Sequence, residues 1–248
     1  MVLGVFPAPR RGVIEMATHY LSIPLSETDT RKLRIGDMVY LTGKVHTGRG
    51  LFYEHVLDRG NELPIDVAAI SNVQMHCAPA AIEKSPDNYY VSSIQATASF
   101  RYWKWVPAYV ERYGIRAIIG KAGMDQWVYQ NVFSRTGTVF LTTVGYGIAA
   151  LYGRAVKSVS GVYWKQELGL PEAMWVLNVE NLGPFIVDGD CTGASLAAIH
   201  VKEVNENFKK AYATMPDHIL KRMGEIDRSL KSEVIVGCPD PVDGDRSA

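Results

Sequence analysis

The chain has 248 residues, 47% hydrophobic and 21% charged, a composition typical of a globular protein with room for one large domain or two small ones. Its 26 basic residues balance its 26 acidic ones, which leaves no electrostatic footprint for nucleic acid or an anionic membrane. The three cysteines, Cys77, Cys191 and Cys238, stand far apart with no CxxC or Cys/His spacing, which argues against a disulfide framework or zinc site and for reduced thiols in the cytoplasm.

In chain order, "MVLGVFPAPRRGV" does not read as a signal peptide: a proline breaks its short apolar run and the arginines follow it. Met16 opens "MATHYLSIPLS", which reads as a natural start, so residues 1–15 are read as carrying no fold information, and the domain division sets 1–19 apart as an N-terminal extension. Ser26-Glu27-Thr28-Asp29 caps a short helical turn that stops at Gly36. The β-formers of 37–44 predict a strand, as do 67–76 and 88–94, with Pro79 and Pro86 bracketing a loop. Helical spacing follows over 102–113, a buried strand over 117–119, a helix over 125–135 and a strand over 138–143. A helix over 147–156 and a strand over 173–179 complete the alternation. The chain thus reads as α/β, a β-rich first part followed by parallel βαβ units. Residues 201–228 form a charged helical region interrupted near Pro216, and the tail "GCPDPVDGDRSA" reads as frayed, so 191–248 is a helical extension and tail. No run approaches transmembrane length.

Four stretches could carry chemistry. "HTGRGLFYEH" (46–55) holds two histidines nine residues apart, which does not fit ligands one helical turn apart, and its glycines lack the full phosphate-loop pattern. Gly145-Tyr146-Gly147 follows a strand and opens a helix, where either an anion or close strand–helix packing fits. Lys121, in "IGKAGMD", follows a parallel strand, where α/β proteins bind ligands, although a loop lysine is commonly only solvated. "QATASFRYWKW" (95–105) mixes cations with aromatics; zero net charge disfavours nucleic acid, and core or interface packing explains the tryptophans.

Three longer segments are specific. "IPLSETDTRKLRIGDMVYLTGKVHTGR" (23–49), "IIGKAGM" (118–124) and "VYWKQELGLPEAMWVLNVENLGPFIVD" (162–188) together resemble the β subunit, or C-terminal domain, of the iron–sulfur hydro-lyases, the class I fumarases and L(+)-tartrate dehydratases. The resemblance covers about residues 20–190. It implies a swivelling β/β/α domain and reversible hydration of a small dicarboxylate of the fumarate/malate or tartrate type. It also implies a [4Fe-4S] cluster held by three cysteines of a partner α subunit, and an assembly read as a homodimer of heterodimers. This chain's cysteines do not match those ligands, so neither chain is expected to act alone.

The family's Thr-x-Arg-Asp-x-x-His segment reads Thr47-Gly48-Arg49-Gly50-Leu51-Phe52-Tyr53 here, retaining the carboxylate-binding Arg49. Its Gly-Pro-Thr-Thr-x-x-Arg segment reads Gln95-Ala96-Thr97-Ala98-Ser99-Phe100-Arg101, retaining Thr97, the residue implied as catalytic base, and Arg101, a second carboxylate binder. The family's loop lysine corresponds to Lys121. Three cations could meet the charge that builds on a carboxylate during proton abstraction beside it, while the Thr97 hydroxyl needs help from a neighbouring charge. Gly50 and Tyr53 stand where an aspartate and a histidine are expected. They mark either an altered substrate pocket or a non-catalytic binding or regulatory subunit.

Overall fold

The strand Val139–Thr143 shows how the sequence builds the sheet. Val139 and Leu141 face one core and Phe140 the other, all three fully buried. The same alternation puts Ala117 and Ile119 on one side of Ala117–Gly120 and Ile118 on the opposite side. Apolar residues on both faces of short strands are the mark of a parallel sheet covered by helices on both sides.

A computed structural model describes residues 16–145 and 147–212. Nine strands appear among them: β1 (Thr18–Ser22), β2 (Met38–Thr47), β3 (Val73–Met75), β4 (Ala80–Ser85), β5 (Asn88–Ser93), β6 (Ala117–Gly120), β7 (Val139–Thr143), β8 (Val156–Tyr163) and β9 (Met174–Gly189). The helices are α1 (Glu27–Lys32), α2 (Gly50–Tyr53), α3 (Val67–Ile70), α4 (Val106–Tyr113), α5 (Gln126–Val128), α6 (Ser134–Thr136), α7 (Ala149–Ala155), α8 (Lys165–Leu168) and α9 (Leu196–Tyr212). Wider π turns extend α2 over Glu54–Asp58 and α5 over Tyr129–Phe133.

Seven strands form one sheet in the order β1-β2-β3-β6-β7-β9-β8, and β9 also pairs with β2, so the pairings close on themselves. β1, β2, β3, β6 and β7 run parallel, and β9 lies antiparallel to β2, β7 and β8. Parallel neighbours begin at the first strand, so the crossovers start earlier than the β-rich reading of the first part expects. One face of the sheet packs Leu33, Tyr89, Val91 and Tyr152 in a core with Val39, Met75 and Leu177. The other packs Phe52, Tyr53, Tyr109, Val110 and Phe133. The chain is α/β, as the sequence implies.

Several elements differ from the sequence reading. β1 begins at Thr18, inside the segment taken as an extension. Within 67–76, Asp66 caps the short helix α3 through Ala69 N at 3.1 Å, and only Val73–Met75 is strand. The loop between Pro79 and Pro86 contains β4, a largely exposed strand paired only with β5. The helix before Val156 gives way there to β8, and β9 runs ten residues beyond the predicted 173–179. Of the 201–228 helical region, only the part to Tyr212 lies among the described residues; Pro216 and the tail lie outside them.

Candidate functional site

Three parallel strands deliver the site. β2 leads into Arg49, β3 into His76 and Cys77, and β6 into Lys121, all at the carboxyl edge where open α/β sheets bind ligands. Across this edge lies the segment 95–101. Cys77 and Ala96 form an isolated antiparallel bridge, and Ala98 and Lys121 a parallel one. Thr97 N donates to His76 O at 2.6 Å, Lys121 N to Thr97 O at 3.2 Å, and Ser99 N to Lys121 O at 2.9 Å. The segment thus continues the sheet pattern past the strand ends. Gly120 permits the approach: a Cβ there would overlap Ser99 Oγ and lie 2.9 Å from Phe140 Cζ.

The Thr97 hydroxyl accepts from Arg101 Nη2 at 2.7 Å, and Arg101 Nε donates to Ala98 O at 3.2 Å. Thr97, Arg101 and Lys121 are therefore brought together. Arg49 behaves differently. Its Nη1 lies 3.1 Å from both Pro171 O and Glu172 Oε1, and Glu172 Oε2 accepts from Leu51 N at 3.0 Å at the start of α2. Glu172 supplies a carboxylate beside Arg49, where Gly50 has none. The Arg49 charge reaches the Cys77 thiol just past the end of β3, while its guanidinium bonds to the segment 171–172.

Beneath the edge lies a buried polar network that the sequence reading did not identify. Tyr53 OH donates to Gln74 Oε1 and lies 2.7 Å from His76 Nε2. His76 Nδ1 lies 2.8 Å from Ser99 Oγ. Tyr53, Gln74, His76 and Ser99 are fully buried. His46, in the opening of the "HTGRGLFYEH" stretch, contacts Ser71 O at 2.7 Å and Tyr109 OH at 2.8 Å, which makes it a core histidine. Burial holds both imidazoles down to about 3, with the disfavoured joint protonation of His46 and the Arg101 charge as lesser causes for His76. His55 packs against Trp164, ring centroids 4.7 Å apart. The signal for His76 was present in the sequence: a polar pair, Gln74 and His76, alternates with apolar residues at the end of a strand.

The aromatic segment divides. Tyr102 is buried against His76, and Trp105 stacks on Tyr53 with rings 5.9 Å apart. Phe100 and Trp103 are exposed, as is Leu51 beside Arg49. At Gly145 and Gly147 a Cβ would meet nothing within 4 Å, so close packing does not explain these glycines; Tyr146 lies outside the described residues.

The cluster implied by the resemblance needs thiolates. Burial pushes the Cys77 thiol up to about 12, and Cys191 lies 3.6 Å from the carbonyl oxygens of Thr30 and Thr138. Among the described residues no three His, Cys, Asp or Glu gather as metal ligands. These residues do not fit an iron–sulfur cluster. No helix among the described residues is long and apolar enough to cross a membrane.

Residues 11–199 match the family described as Fumarase C-terminus. A Methanocaldococcus jannaschii protein provisionally named L(+)-tartrate dehydratase subunit beta is 36% identical over 79% of this chain and 95% of its own length. The L(+)-tartrate dehydratase subunit beta of Escherichia coli K12 is 29% identical over 83% of this chain and 95% of its own length. A Geobacillus stearothermophilus protein provisionally named fumarate hydratase class I is 32% identical over 71% of this chain, which matches 33% of that longer protein. With three-quarters of its length inside the family match and a strand edge that gathers Thr97, Arg101 and Lys121, this chain belongs to the fumarase C-terminus family, among the β subunits of the class I fumarase and tartrate dehydratase group.

Proposed function

We propose that this chain is the β subunit of a hydro-lyase that reversibly hydrates a small dicarboxylate of the fumarate/malate or tartrate type. In this reading its partner is an α subunit carrying a [4Fe-4S] cluster, the two form a homodimer of heterodimers in the cytoplasm, and this chain is the family's swivelling β/β/α domain. The observation that carries it is the Arg101–Thr97 hydrogen bond of 2.7 Å on a segment bonded through its backbone to Lys121. A hydroxyl and two cations then share one strand edge.

The chemistry follows from that grouping. Removing a proton from carbon beside a carboxylate moves charge onto the carboxylate oxygens. Arg101 and Lys121 stabilise that charge, and an arginine can do so with two parallel hydrogen bonds. Arg101 also favours the alkoxide form of Thr97, which otherwise holds its proton far above neutral pH. Arg49 binds the second carboxylate. Exposed Leu51, Phe100 and Trp103 beside the cations suit a site completed by a partner's surface.

A non-catalytic binding or regulatory subunit is the second reading. It draws on Arg49, whose guanidinium rests on Pro171 and Glu172, away from the Thr97 cluster. Anaerobic co-expression with the α subunit, cluster reconstitution and a screen of unsaturated and hydroxylated dicarboxylates separates the two. Turnover abolished by Thr97→Ala supports the catalytic reading. No turnover with any dicarboxylate, or turnover that survives Thr97→Ala, overturns it.

A further inference from the structure

Three hydrogen bonds beneath the strand edge run in one direction. Tyr53 gives its only hydroxyl proton to Gln74 Oε1, so toward His76 Nε2, at 2.7 Å, it can only accept. With that direction, the His76 proton belongs on Nε2 and its Nδ1 would offer a lone pair to the Ser99 hydroxyl, 2.8 Å away. The run of hydrogen bonds thus starts at Ser99 on the crossing segment, passes through His76 just beyond β3 and Tyr53 of α2, and ends at Gln74 on β3. The ring cannot swing, because Tyr102 and Tyr53 stand edge-on to it at 4.9 and 5.8 Å.

We propose that His76 is a positioning residue that fixes Thr97 and Lys121 for proton transfer, acting through Ser99 in its neutral, Nε2-protonated form. This rests on the hydro-lyase reading above. His76 grips the segment twice, its carbonyl taking Thr97 N at 2.6 Å and its ring taking the Ser99 hydroxyl. Between those grips, Lys121 bonds to Thr97 O and Ser99 N. Releasing Ser99 frees one end of the Thr97–Lys121 pairing. The ring itself is fully buried and is not placed against substrate. Tyr53 supports the arrangement by selecting the tautomer. An ångström of displacement at a reacting group costs roughly 100-fold in rate, so a buried residue can control turnover without touching the dicarboxylate.

The test uses His76→Asn, His76→Gln and Ser99→Ala. An asparagine amide reaches the Nδ1 position and still accepts from Ser99; a glutamine amide reaches the Nε2 position and does not. In the reconstituted complex, His76→Gln and Ser99→Ala are expected to lower kcat roughly 10- to 100-fold with KM within about twofold, and His76→Asn to recover most of the loss. On the full chain without substrate, imidazole nitrogen shifts of the wild type should report a neutral ring protonated on Nε2. Amide exchange at Ser99 and Lys121 should quicken about tenfold in His76→Gln and Ser99→Ala but not in His76→Asn. A ring protonated on Nδ1, unchanged exchange, or equal kcat in the Asn and Gln variants overturns the inference. A wild-type complex that turns over no dicarboxylate while the shifts and exchange behave as expected overturns the hydro-lyase reading alone and leaves His76 as the clamp of this segment.

Discussion

The Tyr53 hydroxyl lies 2.7 Å from His76 Nε2 and joins the first turn of α2 to the end of β3. The family segment leads one to expect an imidazole at position 53. Here a phenol occupies that position and an imidazole faces it from the neighbouring strand. Tyr53→Phe keeps the packing against Tyr102, Tyr109 and Trp105 but leaves His76 Nε2–H and Gln74 Oε1 buried without this partner. Each such group costs about 1–3 kcal/mol. Urea unfolding of Tyr53→Phe should therefore show a stability loss of about 2–6 kcal/mol; an unchanged midpoint would show that the phenol bonds contribute nothing net.

Two buried neutral histidines make the fold sensitive to acid. Burial is the main cause holding His46 and His76 at about 3 in the folded chain, against about 6.5 when unfolded. Between those values the unfolded chain binds protons that the folded chain does not. Stability is therefore full above pH 6.5 and falls as pH drops toward 3, by on the order of 1 kcal/mol per pH unit for each histidine. Urea unfolding at pH 7 and pH 5 should show this fall, and His46→Gln should remove about half of it. Equal slopes in the variant and wild type would mean that His46 titrates normally in the fold.

Gly50 is tolerant where the resemblance makes it look like a loss. A Cβ there would meet only Tyr102 Cε1 at 3.9 Å, an ordinary contact. Gly50 is also the first residue of α2. Gly50→Asp would add a carboxylate at a helix N-terminus and remove backbone freedom from the unfolded chain, each worth about 0.5–1 kcal/mol. Thermal unfolding should show Gly50→Asp at least as stable as wild type. A lower melting temperature would mean that the new carboxylate is harmful beside Glu172, the acid already bonded to Arg49 and Leu51.

The legible parts of this protein were the local ones. The capping box Ser26–Asp29 forms as written, with Asp29 N donating to Ser26 Oγ at 3.1 Å, and the two-sided apolar runs of β6 and β7 announce buried parallel strands. Thr97, Arg101 and Lys121 were named through the resemblance to the family's motifs, and backbone pairing brings their segments to one strand edge. Glu172 and His76 were not found, because their roles depend on contacts across long stretches of chain: Glu172 meets Arg49 from 123 positions away, and His76 meets Ser99 from 23. β8 was hidden for another reason. Its "VKSVSGVY" lies mostly half-exposed and gains its partner only from the long strand β9.

The Arg49–Glu172 pair allows its own test, because the sign of one effect tells an orienting carboxylate from a competing one. Both side chains are about four-fifths buried, at 22% and 19% exposure, with Nη1 3.1 Å from Oε1. If Arg49 binds a substrate carboxylate, Arg49→Lys replaces a planar fork with a point charge, and KM for the dicarboxylate should rise roughly 10- to 100-fold. Glu172→Gln keeps an acceptor for Leu51 N and keeps the side chain's size but removes the charge that holds the guanidinium. An orienting Glu172 predicts a KM increase of about threefold to tenfold, smaller than that of Arg49→Lys, with kcat little changed. A competing Glu172 predicts the opposite, a KM below wild type, because the substrate no longer displaces a resident carboxylate. The bond from Leu51 N to Glu172 Oε2 favours orientation, because it ties the carboxylate to the start of α2, beside Arg49.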